Sequence, residues 1–195
     1  MHPYPSVMLM TGGTVSFVGQ STSQTPAALT YPGGAQAGDL AVVFCASAAS
    51  ISGWGAGETQ GDLRMLSRFL SAGDISAPAS VAGGAQFCLQ VYRGPVRVEK
   101  RGGVSQGAVP PLVIPGFTRF GGPGLVVAHR TSINNSAGVV PAGWLRRVNN
   151  LNDTGFTSLT TADLLSPGGY VSGTDLTINN SGPSGAGDAL VAEFV

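Results

Sequence analysis

Residues 38–47 read Gly-Asp-Leu-Ala-Val-Val-Phe-Cys-Ala-Ser, and residues 123–130 read Pro-Gly-Leu-Val-Val-Ala-His-Arg. A turn followed by a short, nearly unbroken apolar run is the pattern of a strand buried on both faces. The segments around them alternate with period two, as strands with one buried face do. Val15 and Phe17 alternate with Ser16 and Val18, and Phe87, Leu89 and Val91 with Cys88, Gln90 and Tyr92. Val96–Glu99, Tyr170–Asn179 and Ala189–Val195 read the same way. Pro32-Gly33-Gly34, Ala72-Gly73-Asp74, Gly83-Gly84, Pro167-Gly168-Gly169 and Asn180-Ser181-Gly182-Pro183 punctuate them. Glycine supplies the positive φ that tight turns require. No stretch keeps a clean helical period. Arg64–Leu70 and Ser158–Leu165 tolerate a helix but also read as strands.

The two apolar runs belong to a longer internal repeat. Leu29-Thr30-Tyr31-Pro32-Gly33 is answered by Val113-Ile114-Pro115-Gly116, and Ser52-Gly53-Trp54 by Ala142-Gly143-Trp144. Phe69-Leu70-Ser71-Ala72-Gly73 is answered by Leu164-Leu165-Ser166-Pro167-Gly168. The offset grows from Pro32/Pro115 through Trp54/Trp144 to Ser71/Ser166, as loop insertions in the second half would make it. The expected fold is all-β: an eight-stranded, jelly-roll-like Greek-key sandwich of two similar four-strand halves closing on one core. Residues 1–13 read as an N-terminal arm and 14–195 as one sandwich domain. The half-repeats span about 14–94 and 112–195, with a crossover at 95–111.

Composition narrows the function. Of 195 residues only 10% are charged, against roughly 25% in ordinary soluble domains. Ten cations balance ten acids, while 43% of residues are hydrophobic and 30 are glycine. A disordered chain needs the reverse balance, and a nucleic-acid binder needs a basic surplus. No apolar run approaches the ~20 residues of a membrane helix. The start, MHPYPSVMLM, lacks the basic n-region and long apolar stretch of a signal peptide.

In order, Pro32–Leu40, Gly53-Trp54, Ser71-Ala72-Gly73-Asp74, Tyr92-Arg93-Gly94, Pro123–Val127 and Pro141-Ala142-Gly143-Trp144 form a set. That set resembles the two-repeat β-sandwich accessory proteins of tailed-phage virions and phage-like particles. The resemblance runs over about residues 14–195. It implies a structural virion protein, made in the host bacterial cytoplasm, that assembles in several copies as a capsid decoration, head fibre or spike, or tail appendage. Its expected partners are other virion proteins and copies of itself. Ser52-Gly53-Trp54 departs from the pattern by lacking the Pro-Ala lead.

Tests for chemistry point away from an enzyme. Gly103-Val104-Ser105-Gln106-Gly107 matches a nucleophile elbow, which needs a helix after the serine, and Pro110-Pro111 forbids one. The ten acids are scattered singly, and the Gly182–Gly187 run lacks the Lys-Ser/Thr of a phosphate loop. With only His2 and His129 and no Cys-x-x-Cys, no metal or cofactor is expected. His129 reads as a structural or interface residue. Cys45 and Cys88 read as reduced core residues, with a disulfide as the alternative, because sequence does not fix their separation.

Three sets of residues are candidates for binding. Arg93, Arg97, Lys100 and Arg101 form the basic cluster, read either as contact with an acidic partner or as a solvated strand. Trp54 and Trp144 read either as closing the ends of the core or as stacking on a sugar. The sugar reading supports an alternative function, a carbohydrate-binding adsorption module for host surface glycans. The arm is uncharged, and an uncharged arm costs little to desolvate, so Met8 and Met10 are expected to dock on a neighbouring subunit.

Overall fold

The apolar runs become the central strands of two sheets. In this computed structural model the described residues are 14–46, 48–83, 86–94, 97–107, 111–131, 138–152, 158–165, 170–180 and 186–195. The first half holds β1 (Ser16–Ser23), β2 (Leu40–Ala46), β3 (Ser50–Ile51), β4 (Glu58–Gln60), β5 (Leu63–Phe69), α1 (Ala72–Ser76), β6 (Val81–Ala82) and β7 (Phe87–Arg93). The second holds β8 (Val98–Gln106), β9 (Leu112–Ile114), β10 (Gly124–Thr131), β11 (Gly138–Val139), β12 (Leu145–Asn152), β13 (Ser158–Leu165), β14 (Leu176–Asn180) and β15 (Gly187–Phe194).

The fold is all-β and antiparallel, and its two halves share one strand order. The first large sheet runs β1-β7-β2-β5-β4, and the second runs β8-β15-β10-β13-β12. The small sheets correspond too: β3 pairs β6 as β11 pairs β14. The isolated bridge Ala28–Ser80 stands where β9 pairs β14. Register carries the match to single residues. Leu40 faces Phe69 and Tyr92, and Gly124 faces Leu165 and Phe194. Phe17 faces Tyr92 as Val98 faces Phe194. The offset therefore rises along the chain through Phe17/Val98, Leu40/Gly124, Phe69/Leu165 and Tyr92/Phe194, the drift that loop insertions produce.

Three apolar clusters replace the single expected core. Leu40, Val42, Phe44 and Tyr92 pack across the two large sheets against Val126, Ala128, Leu190 and Phe194. The outward face of the first sheet packs Ala41, Val43 and Val91 with Trp54 and Ile51. The outward face of the second packs Leu125, Val127 and Val191 with Trp144, Leu112 and Ile178. Central strands covered on both faces explain the continuous apolar runs. Each fully buried Leu or Phe side chain is worth about 1.5–3 kcal/mol.

Three expectations are corrected. Eight strands were expected, but the described residues form fifteen, because pieces of two or three residues such as β3, β6 and β11 are too short to show a period. The expected crossover at 95–111 is mostly β8, which occupies the place of β1 in the second half. Its glycines lie at close approaches rather than in turns. A Cβ on Gly103 would strike the Gln60 side chain, and one on Gly102 would lie 2.9 Å from Ile114. The segment Ala72–Asp74, read as a turn, opens the one-turn helix α1, capped by Ser71, whose hydroxyl accepts from Asp74 N.

Candidate functional site

The basic cluster folds onto the protein itself. Arg93 donates to both Asp39 carboxylate oxygens at 2.8 Å and to Gly34 O at 3.0 Å. Burial pushes the Asp39 carboxyl up, but the Arg93 and Gln36 hydrogen bonds outweigh it and hold the group below its ordinary value. Arg97 pairs with Glu99 at 2.5 Å. Lys100 donates to Thr59 O and, at 3.1 Å, to Gln60 Oε1. Arg101 reaches Glu193 at 3.0 Å and Glu99 at 2.9 Å, and lies 3.6 Å over the Phe120 ring. The fully buried Glu193 carboxylate also accepts from Phe120 N and Gly122 N, both at 2.8 Å. Burial raises its pKa, and these bonds more than reverse the shift.

The same holds for every other cation. Arg64 donates to Ala49 O, Arg68 pairs with Asp74, and Arg146 donates to Asn149 Oδ1. Arg119 pairs with Glu193, Arg130 with Asp62 and Arg147 with Asp163. All ten cations thus have a partner within the chain.

Two of these pairs lie in polar seams that join the halves. At one edge Arg147 grips Asp163 at 2.7 and 2.9 Å and lies 3.8 Å over Phe17. Tyr92 OH lies 3.1 Å from Asp163 Oδ2 and 2.9 Å from Gln90 Oε1, and Gln90 Nε2 donates to Thr161 Oγ1 at 2.6 Å. Burial lifts the Asp163 carboxyl above its ordinary value, although Arg147 pulls it down. At the other edge Gln60 donates to Ser105 Oγ at 3.0 Å, and Asp62 N donates to Asp188 Oδ2 at 3.0 Å. An open cleft of about 340 Å³, lined by Gly61, Asp62, Ser105, Arg130 and Asp188, follows this second seam.

Trp54 and Trp144 are both buried, at 8% exposure, in the outer clusters of their own halves. Neither indole is an exposed platform. Met8 and Met10 lie outside the described residues. Ser105 sits in β8 opposite Asp188, not on a strand-to-helix elbow. Cys45 pairs with Phe87 and Cys88 with Phe44 on adjacent strands, so the two thiols face opposite sides of the sheet and remain free. Burial pushes both thiols up to about 12. Among the described residues no three His, Cys, Asp or Glu side chains gather as a metal site would need.

Sequence reasoning missed Arg147, Asp163 and Glu193. A signal was present: each acid interrupts an apolar strand, in Thr-Thr-Ala-Asp-Leu-Leu and Leu-Val-Ala-Glu-Phe-Val. A lone acid at such a place calls for a buried partner. Comparison with family models, with curated proteins and with solved structures finds no match to this chain.

Proposed function

We propose that this chain is a structural protein of a tailed-phage virion or phage-like particle. It assembles in several copies as a capsid decoration, head fibre or spike, or tail appendage. Each half is a jelly-roll-like Greek-key unit, with the large sheet and its small outer sheet as the two layers. The observation that carries the reading is the internal engagement of all ten cations. A surface whose few cations already bond within the chain loses less when another subunit covers it, because burying unpartnered ions is the costly step. The polar seams suit the same role, since they fix one arrangement of the halves in a block that bears load. The ordered motif set of the sequence supports the phage assignment.

The glycan-binding alternative relied on exposed indoles, and both are buried. Immunogold labelling of intact particles from a producing culture tests the proposal. Gold at discrete positions on the particle is expected. Labelling confined to the soluble fraction overturns it.

A further inference from the structure

The halves differ at a buried position shared by β2 and β10. Cys45 is opposite Phe87 on β7 and Arg64 on β5, and the matching residue of β10 is His129, opposite Ala189 and Thr160. His129 is 1% exposed, and neither ring nitrogen has a hydrogen-bond partner among the described residues. It points into the outer layer of the second half. There a Cβ on Gly138 of β11 would lie 2.6 Å from Nδ1, and one on Gly187 would lie 3.7 Å from Nε2.

Among the described residues no countercharge faces this ring. From β13 the neighbours are Ser158 and Thr160, from β10 itself Thr131, and from β15 Ala189. From β14 and β9 come Ile178, beside Gly138, and Leu112, beside Gly187. Thr160 Oγ1 accepts from Gly138 N, and the Thr131 and Ser158 hydroxyls bond each other at 2.7 Å. Arg130, Asp163 and Asp188 have the opposite strand parity and serve the seams between the halves. Glu193 shares the face of Ala189 on β15, four residues along, and is paired there with Arg101 and Arg119. The connecting segments 132–137 and 181–185 contain no ionisable residue, and 153–157, which leads into Ser158, contains Asp153.

We infer that His129 is an acid-operated latch on the outer sheet of the second half. Protonation places an unpaired charge in a buried layer. The charge is relieved when β9, β14 and β11 lift from β10, which exposes the apolar face of Leu125, Val127 and Ile178. Geometry sets the asymmetry, because the first half has a cysteine at this place and no histidine.

The sign follows from linkage. Burial holds the folded imidazole at about 4, while an opened one titrates near 6.5, so opening gains protons as pH falls between these values. Opening should rise about a hundredfold between pH 7 and pH 4.

Hydrogen exchange of the full chain, corrected for intrinsic rates, reads this directly. Amides of β14 and β9 should lose protection on acidification, while β3 and β6 of the first half keep theirs. His129→Cys, which installs the residue of the first half, should remove the difference. Parallel loss in both halves, no loss in either, or persistence in His129→Cys would each overturn the inference. The two halves of one unaltered molecule can be compared even if the variant fails to fold, and parallel loss or no loss there overturns the inference by itself.

Discussion

Replacing Arg147 by Met leaves the Asp163 carboxylate buried against Tyr92 with no cation. Breaking a buried ion pair from one side costs about 3–5 kcal/mol, because the remaining charge is uncompensated. Arg147 retains 18% side-chain exposure, so water moderates the loss and the lower end, about 3 kcal/mol, applies. For a chain of this size that lowers Tm by about 6–12 °C. The loss must also depend on pH. Asp163 already binds its proton more tightly folded than unfolded, so folding gains as pH falls through that raised value. Without Arg147 the gain is larger, and the gap between variant and parent narrows from pH 7 towards pH 4. Adding Asp163→Asn to Arg147→Met removes the stranded charge and recovers most of the stability at neutral pH. Chemical denaturation across pH measures all three. A loss below about 1 kcal/mol, or a gap independent of pH, would refute the claim that this pair closes a buried polar seam.

Other substitutions probe the remaining parts. Arg93→Ala should lower Tm and raise the pH at which acid unfolding begins. Asp39 is held below its ordinary value by Arg93, so its stabilisation is present above the unfolded value and lost as pH falls through the folded one. Thermal melts from pH 7 to pH 2 check both effects. Gly61→Ala combines a φ of +55° with a Cβ that would land on the Asp188 carboxylate, and should cost about 1–3 kcal/mol in denaturant titration. Trp54→Ala and Trp144→Ala should each cost about 3–5 kcal/mol as core truncations. A glycan array on folded Trp144→Ala should show no selective loss relative to the parent.

Much of the fold was legible because burial on both faces leaves a plain mark. Leu40–Ala46 and Gly124–Thr131 are strands because their apolar runs have no exposed side to fill with polar residues. The repeat was legible for the same reason: two halves with one strand order need matching apolar residues at matching places. The three-core arrangement was not legible. Strands of two residues carry no period, and glycines at close approach in β8 look like turn glycines. The stretch 170–179 shows the opposite error, since only Leu176–Asn180 forms a strand there. At the candidate site, Arg93, Lys100 and Arg101 looked like a patch because they are neighbours in sequence. Their partners Asp39, Thr59 and Glu193 lie far along the chain, and only the strand order brings them together. His129 was legible as a lone histidine, but its burial depends on β9, β11 and β14 covering it.

If this block of two equivalent halves is a repeated part of a particle, its copy number is fixed by the particle's symmetry. Quantitative mass spectrometry of gradient-purified particles, counting this chain against the major shell protein, measures that number. We expect a constant count that is a multiple of the symmetry of the site the chain occupies. A chain absent from the particles and recovered only as soluble monomer would contradict the structural role.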